Sequence, residues 1–504
     1  MNESVTVGKP ADRSIEERQN VDHTEDIKPT HDNTTNNNDI LERRKIRDFD
    51  DPHNLATEYL EKHCQINGEP ALRHWRDAWF RWKWDRYQEV AKYEMEAAVS
   101  NFIRAEFDTI ARKYPDNKRV RRPVTQRRVA DVLHALRGMV SVSAGLEPPV
   151  RLNATRPSHR FLMLANGALN IDRALERGAK ALRSQTPQLF NLSRASYFYE
   201  PAAYCPQFLH FLDRVMENDA ERIALIQELF GVALIADTSF QKFFILVGEG
   251  SNGKGVLLSV LTALVGSDNV SHVPAGMFGE RFQLSNTLGK LLNIEPDAGQ
   301  ITLRGEAFIK SFTAGDMMQF EMKYRQPISA LPTARLIIGT NSLPEFQDRS
   351  SGIWRRMILV PFRVQIPEEE RDRGLANKLK EELPGILNWA LEGLRRLYSQ
   401  GHFTEPAICK EALAEYRTKN NPARLFLTEN YAAEKLAAVE CRNAYARYSA
   451  YCSLYGYDRL NQAAFGKEVH RVFPDVEKKR DTTGDRQYRY HGITYTGSEE
   501  PPAC

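Results

Sequence analysis

The segment KFFILVGEGSNGKGVLLSVLTALVG (242–266) constrains the fold of this chain more than any other. An apolar run, Phe243–Val247, leads into a glycine-rich turn and then into an apolar pattern of helical period. A strand before such a turn and a helix after it are the context that a phosphate-binding loop requires. The segment therefore predicts an α/β unit with an anion site at a helix N-terminus.

The turn reads Gly248-x4-Gly253-Lys254, a pattern whose glycines permit a tight bend close to an anion. Gly255 stands where a Ser or Thr hydroxyl normally ligates Mg²⁺. The metal must therefore rely more on water and a downstream acid, or bind more weakly. We assign the nucleotide to the residues of this turn: Gly248, Glu249, Gly250, Ser251, Asn252, Gly253, Lys254, Gly255 and Val256.

A second apolar strand, in GKLLNIEPDAG, ends at Glu295 and Asp297. One carboxylate can organise the Mg²⁺ shell while the other polarises the attacking water. We take Asp297 as the first candidate for the metal and for catalysis, and Glu295 as the second. The alternative is a surface turn that carries two acids.

Two further strands end or begin at polar residues suited to phosphate chemistry. ARLIIGT delivers Asn341, which can orient the lytic water, although Asn at a strand end is often only a turn former. Arg355 and Arg356 precede the strand in WRRMILVPF and can stabilise charge on the transferring phosphoryl group. A salt bridge to Asp348 is the alternative for either arginine.

Between the second and third strands, Gly315 and Asp316 mark the end of a helix. Two alternating segments then predict a β-hairpin with Lys323, Tyr324 and Arg325 at its tip. A cation beside an aromatic ring is suited to gripping a nucleic acid strand.

Together these motifs resemble superfamily 3 helicases, in particular the helicase part of the phage and plasmid primase-helicases related to poxvirus helicase-primase. The resemblance covers about 160–490 and implies an AAA+-like ATPase that uses ATP and Mg²⁺ and assembles as a hexamer on single-stranded and forked DNA. It assigns Lys254, Asp297 and Asn341 to three successive motifs and Arg356 to an arginine finger. It also assigns Lys310 and Lys323 to DNA handling.

The N-terminal half shows less specific patterns. Residues 1–45, including the run TTNNND, are too polar to fold alone. Trp75, Trp79, Trp82 and Trp84 alternate with basic residues and predict a hairpin, either a stacking platform or a domain core. The basic run Lys118 to Arg128 either binds phosphate or is solvated. Many relatives carry an upstream primase, but 46–160 are too short for one, so priming is not predicted.

After 420, the pattern of helices followed by a Thr-Gly-Asp turn has a winged-helix order. Its helix NQAAFGKEVHRVF and basic wing can bind DNA or a partner protein. The wing cations that we assign to phosphate contact are Lys478, Lys479, Arg480, Arg486 and Arg489.

The predicted fold class is α/β: an AAA+-like P-loop core with helical N-terminal domains and a C-terminal winged helix. The boundaries are a disordered arm at 1–45, a small, mostly helical mixed domain at 46–155, and a helical domain at 156–240. The ATPase core at 241–400, a helical linker at 401–420, the winged helix at 421–495 and a tail at 496–504 follow.

The formal charge of +3 over 504 residues neither requires nor excludes a nucleic acid partner. The six cysteines lack metal-ligand spacing, so no zinc is predicted. With no apolar run of about 18 residues, we expect a soluble protein of the cytoplasm of a bacterial or phage-infected cell.

The leading hypothesis is an ATP-dependent DNA helicase for replication of a phage, plasmid or mobile element, with a separate primase or other replication proteins as further partners. One rival is a remodelling or packaging ATPase of the same fold. The other is a DNA-binding replication-control protein with a decayed ATPase, which Gly255 keeps open.

Overall fold

The computed structural model describes residues 48–153, 160–176, 180–297, 303–323, 326–344, 346, 351–480 and 487–497. The arm expected at 1–45 therefore lies outside the described residues. Contacts divide the chain into two units. The smaller comprises the described residues up to Tyr59 with Val99–Ala135, and the larger comprises Leu60–Ala98 and the residues from Leu136 onward. Within the described ranges, every helix is too short or too polar to cross a bilayer.

The smaller unit is built by parts of three helices: α1 (Pro52–His63), α2 (Lys92–Lys113) and α3 (Gln126–Val140). Tyr59 packs edge-on against Phe102, with ring centroids 5.3 Å apart. Asp50 forms ion pairs with two arginines of the basic run, Arg122 at 3.5 Å and Arg128 at 3.2 Å. Part of that run is therefore neutralised within its own unit.

The tryptophan-rich segment forms a three-stranded antiparallel sheet instead of the expected hairpin. Two two-residue turns, at 76–77 and 84–85, make the difference. Trp75, Trp79 and Trp82 are buried, which favours the core alternative for them, whereas Trp84 is 91% exposed. The strands are β1 (Gln65–Ile66), β2 (Glu69–Pro70), β3 (Leu72–Trp75), β4 (Ala78–Lys83) and β5 (Arg86–Val90).

Short strands and one five-residue helix come next, and the longer helices expected over 156–240 begin only at Pro206. The segment MLANGALNI pairs as a hairpin across Ala165 and Asn166, which explains the difference. The elements are β6 (Val150–Arg151), β7 (Phe161–Leu164), β8 (Gly167–Asn170), α4 (Ile171–Leu175), β9 (Leu182–Arg183), β10 (Leu189–Phe190), α5 (Pro206–Val215) and α6 (Ala220–Val232).

A five-stranded parallel sheet forms the centre of the larger unit, in the order β12-β13-β16-β11-β17. The elements of this region are β11 (Phe243–Val247), α7 (Lys254–Val265), β12 (Val270–Ser271), β13 (Leu292–Glu295), α8 (Leu303–Ala314), β14 (Met318–Phe320), β15 (Ile328–Ala330), β16 (Arg335–Thr340), α9 (Ser351–Trp354) and β17 (Met357–Pro361).

Both faces of this sheet are buried, as expected for parallel strands. Phe244 and Leu246 of β11 pack into one core with helices α6 and α7, and Phe243 and Ile245 point into a second core with α8. The apolar run that precedes the glycine-rich turn is thus a central strand.

Three helices follow the sheet: α10 (Leu375–Glu381), α11 (Leu383–Gln400) and α12 (Ala407–Lys419). The last of these covers most of the expected linker at 401–420. Its Tyr416 is buried in the second core, and the Tyr416 hydroxyl donates to the Pro344 carbonyl. This segment therefore packs on the sheet.

The C-terminal residues form three helices and a three-stranded sheet of order β18-β20-β19. The sequence did not predict β18, whose alanine, glutamate and lysine composition is typical of a helix. Its pairing shifts register between Ala433 and Ala438. The elements are α13 (Pro422–Asn430), β18 (Tyr431–Glu440), α14 (Cys441–Tyr455), α15 (Gln462–Val472), β19 (Glu477–Arg480) and β20 (Tyr488–Tyr495).

Two consecutive asparagines connect this C-terminal region to the parallel sheet. The Asn420 side chain accepts from the Phe346 N–H at 3.0 Å and donates to the Phe346 carbonyl at 2.5 Å. Asn421 donates to the buried Glu468 of α15 at 3.0 Å and accepts from the Arg424 N–H at 3.2 Å, which caps α13.

Candidate nucleotide-binding site

The glycine-rich turn joins β11 to α7 through residues in the left-handed region, with φ of +100° at Gly250, +49° at Ser251 and +87° at Gly253. Two glycines are also required by packing. A Cβ on Gly248 would lie 2.4 Å from the Phe362 carbonyl oxygen, and one on Gly253 would lie 2.7 Å from Val215. The loop thus keeps its backbone free of side chains at the N-terminus of α7, where helix amides favour an anion.

Lys254 is 7% exposed, and its ammonium group lies among carbonyl-type oxygens. Its Nζ donates to Asn252 Oδ1 and to Asn341 Oδ1, each at 3.2 Å, and to the Gly248 carbonyl. Burial lowers the pKa of Lys254, and the charge of Asp297 acts in the opposite direction. Three of the sequence-assigned residues, Gly248, Asn252 and Asn341, therefore contact this ammonium group, and Asp297 acts on it electrostatically.

Strand register explains this meeting. Val247 pairs with Thr340, and Ile338 pairs with Glu295. Asn341 and Asp297 each follow the end of their strand, so they lie at the same carboxyl edge as the glycine-rich turn. Ligands of open parallel sheets bind at this edge.

The two acids at the end of β13 differ in environment. Glu295 is 5% exposed, and its Oε2 accepts the Ala275 N–H at 2.8 Å, so it holds the 3₁₀ turn Ala275–Met277. Asp297 is exposed and acts electrostatically on Lys254. Its side chain is accessible to a ligand, and its assignment to the metal and to catalysis stays a prediction.

Gly255 is exposed at the start of α7, and a Cβ added there would meet nothing within 4 Å. The space for a hydroxyl exists, but the side chain does not. Among the residues that the structure describes, no three His, Cys, Asp or Glu side chains cluster as a metal site. A Mg²⁺ ion at this loop would take Asp297, phosphate oxygens and water, which suits a metal that keeps several waters.

A cavity of about 580 Å³ lies beside the turn. Ser251, Gly253 and Val256 form one wall, and Phe211 and Ile366 are among the residues of the others. Sequence reasoning missed these last two because they lie in segments remote from the motif. The sequence around Phe211 shows helical spacing, which predicts the helix α5 but does not indicate a pocket.

Arg355 and Arg356 lie at the amino-terminal edge of the sheet, at the opposite ends of the strands from the glycine-rich turn. Met357 pairs with Phe243 and Pro361 with Val247, so about 13 Å of strand separates the arginines from the glycine-rich turn.

Their local contacts keep them at that edge. Arg356 Nη1 donates to the Gly352 carbonyl at 2.8 Å, and burial followed by the charge of Arg355 lowers the pKa of Arg356. Lys242 Nζ donates to the Arg355 carbonyl at 2.7 Å. Asp348, their alternative partner, lies outside the described residues.

The expected hairpin is present as β14 paired with β15. Lys323 is exposed near its tip, with its ammonium 5.9 Å from the centre of the Phe282 ring. Tyr324 and Arg325 lie outside the described residues. Lys310 is half-buried on α8 and is not part of the hairpin.

The wing cations differ in exposure. Lys478, Lys479 and Arg480 lie on β19, whose residues are all exposed, and Lys479 pairs with Glu477. Arg489 on β20 is partly buried and pairs with Glu440 at 3.3 Å. Arg486 lies outside the described residues. The exposed edge strand β19 therefore carries three cations, of which Lys479 is in an ion pair.

Comparisons with known proteins found matches for the parallel-sheet region and for the C-terminal residues. Residues 246–356 match the model described as "Family of unknown function (DUF5906)", and 420–497 match the RFX DNA-binding domain. The chain is 25% identical over 236 residues to "Putative helicase L207/L206" of Acanthamoeba polyphaga mimivirus. That similarity covers 42% of this chain and 24% of the relative, so the chain spans about a quarter of the relative's length.

Solved structures include "The A form apo structure of NrS-1 C terminal region-CTR", at 12% identity and a TM-score of 0.46 over 88% of this chain and 100% of that one. The similar "apo structure of NrS-1 C terminal region" has 11% identity and a TM-score of 0.43 over 88% and 99%. The sequence comparisons relate this mixed α/β chain to a helicase and its C-terminal residues to a DNA-binding domain.

Proposed function

We propose that this chain is an ATP-dependent DNA helicase or translocase of superfamily 3, with an AAA+-like core, that acts in replication of a phage, plasmid or mobile element. The observation that carries the proposal is the contact of Lys254 with Asn341 at 3.2 Å, with Asp297 acting on the same ammonium. A buried lysine between a glycine-rich turn and two polar strand ends suits a nucleoside triphosphate.

Lys254, Asp297 and Asn341 would each have a role in ATP hydrolysis. Lys254 and the turn amides would hold the β- and γ-phosphates, and Asp297 would hold the hydrated Mg²⁺. Asn341 would orient the water that attacks the γ-phosphorus, so that ADP leaves and inorganic phosphate forms. The cavity of about 580 Å³ has room for the base and ribose.

Arg356 supports the ring assembly. Because it lies across the sheet from Lys254, it cannot reach the γ-phosphate held by its own chain. In a homo-hexamer it would reach the nucleotide of the neighbouring subunit, since each heterologous interface joins two different surfaces. A charge supplied in trans acts as an arginine finger.

DNA would be held at two places. Lys323 on the hairpin would contact a single strand by its phosphate, and β19 would contact duplex DNA through Lys478, Lys479 and Arg480. The match of 420–497 to a DNA-binding domain favours DNA over a protein partner for the wing.

The deciding measurement is ATP hydrolysis with and without single-stranded DNA, for the wild type and Lys254→Ala. We expect the wild type to be stimulated and the variant to lose at least about a hundredfold of its turnover. Equal, slow turnover in both would contradict the proposal. A forked-duplex assay then separates a helicase from a remodelling or packaging ATPase, which hydrolyses ATP without releasing a strand.

A second candidate is a replication-control protein that binds DNA with a decayed ATPase. Gly255, which removes a Mg²⁺ ligand, and the DNA-binding match of 420–497 favour it. This candidate predicts duplex binding that is indifferent to ATP, and turnover that Mg²⁺ does not raise.

A further inference from the structure

The turn between β4 and β5 carries an unusual residue. Lys83 pairs with Arg86, so only Trp84 and Asp85 form the turn. Trp84 has φ of +58° and is 91% exposed. The other tryptophans, all within the described residues, are buried or partly buried.

Neither property of Trp84 favours folding. A positive φ at this turn position is the domain of glycine, because a bulky side chain crowds the backbone there. An exposed indole also leaves a large apolar surface in water. Strain and exposure that coincide at one position indicate a role in binding.

Charged residues lie next to this turn in the sequence and in ion pairs with it. Lys83 precedes it and is exposed. Arg86 pairs with Asp268 at 2.8 Å, and Arg194 pairs with Asp85. The two acids near the turn are therefore each matched by an arginine, and Lys83 adds positive charge.

A groove with a cavity volume of about 570 Å³ is lined by residues next to this turn and next to the hairpin, whereas Lys83, Trp84 and Lys323 are not among its lining residues. Arg86, Tyr87 and Lys290 are among its lining residues, and so is Met322, which directly precedes Lys323. One groove thus has Arg86, next to the Trp84 turn, and Met322, next to Lys323, in its lining.

We propose that Trp84 stacks on a base of single-stranded DNA and extends the strand path from Lys323 along this groove. Lys83 holds the phosphate next to the stacked base. The identity of the ligand rests on the proposed function, but the stacking site does not require ATP hydrolysis. An aromatic ring flanked by cations suits a single strand, because every base presents a π face.

The experiment is a titration of the full chain with oligothymidylate, without nucleotide, followed by tryptophan fluorescence. Trp84 is the most exposed tryptophan, so iodide should quench it most strongly, and bound DNA should quench its emission and protect it from iodide. We expect Trp84→Gly to bind about five- to 150-fold more weakly and Trp84→Tyr to recover most of the affinity. Glycine suits the positive φ, so the first variant should fold at least as stably as the wild type.

Two controls make the result specific. Tyr93→Ala removes another exposed aromatic ring, 70% exposed at the start of α2, and should bind DNA like the wild type. An abasic oligonucleotide of equal length keeps the phosphates but offers no base, and should leave the fluorescence unchanged.

Several outcomes would overturn the stacking site. These are wild-type affinity in Trp84→Gly, equal quenching by the abasic strand, or a fluorescence change on dilution alone, which would place Trp84 between copies of the chain. The same titration of the wild type, run beside its DNA-stimulated ATPase assay, separates the two proposals. Quenching without ATP hydrolysis would retain the stacking site and reject the helicase, and stimulated hydrolysis without quenching would do the reverse.

Discussion

The two edges of the parallel sheet carry different chemistry. The carboxyl edge brings Lys254, Asn341 and Asp297 together, and the amino edge carries Arg355 and Arg356. The hairpin β14–β15 leads into the amino end of β16, so it belongs to the second edge as well. One chain therefore holds the groups that would bind a nucleotide at one edge and those that would act on neighbours and DNA at the other.

The largest expected effect comes from removing one functional group at each edge of the sheet. Under the proposed function, Lys254→Ala and Arg356→Ala should each lose roughly a thousandfold of ATP turnover. Mixed together, the two variants should regain activity, because about a quarter of the interfaces would combine an intact Lys254 with an intact Arg356. The measurement is the ATPase rate as a function of mixing ratio.

A mixture that stays inactive would contradict the division of labour between the edges. The double variant Lys254→Ala/Arg356→Ala, mixed with inactive Lys254→Ala, is the matched control. It provides no complete interface and should remain inactive at every ratio.

The next largest effect concerns the two acids of the carboxyl edge. Asp297→Asn should lower Mg²⁺-dependent turnover about a hundredfold while nucleotide binding persists. Glu295→Gln should change turnover little, because an amide oxygen can still accept the Ala275 N–H. Steady-state kinetics with a fluorescent-nucleotide binding assay checks both. A large loss of ATP turnover in Glu295→Gln, with native stability, would assign the catalytic role to Glu295 instead of Asp297.

The next effect concerns the hairpin at the amino edge of the sheet and its contribution to DNA-stimulated ATP turnover. Lys323→Ala should reduce DNA-stimulated ATP turnover about tenfold and leave basal turnover intact, because the hairpin lies away from the nucleotide. Lys410→Ala, an exposed lysine paired with Glu405, serves as the control and should change neither rate. Loss of both rates in Lys323→Ala would indicate a role in folding.

The smallest effect is a gain at Gly255. Because a Cβ there meets open space, Gly255→Ser should be accepted without repacking. Its hydroxyl would add a ligand near the metal and lower the Mg²⁺ concentration for half-maximal turnover by about threefold to tenfold. Gly255→Ala separates the hydroxyl from the gain in helix propensity. An equal response in the two variants would show that the hydroxyl contributes nothing.

Local patterns in the sequence predicted the central strand, the glycine-rich turn and the hairpin. These elements depend on short-range periodicity and on backbone conformations that only certain residues adopt. Lys254 and Asn341 could be placed at one edge because parallel strands align their carboxyl ends.

Other features depend on contacts between distant segments. The cavity beside the turn needs Phe211 and Ile366, and no local pattern connects them. The alternation of the tryptophans predicted β structure, yet the second turn decides which indole is exposed. Strand β18 pairs with β20 through Tyr431 and Tyr495, against its own helical propensity.

Asn420 and Asn421 join the parallel-sheet region to the C-terminal region through side-chain hydrogen bonds. One side chain holds the segment after Asn341, and its neighbour holds the helix α15 through Glu468. The C-terminal domain is therefore held against the sheet region by these hydrogen bonds and is not joined to it by a flexible linker. A duplex bound to β19 would therefore rotate together with the parallel-sheet region of its subunit. Inserting residues between Asn420 and Asn421 would uncouple the rotation of the duplex from that of the sheet region.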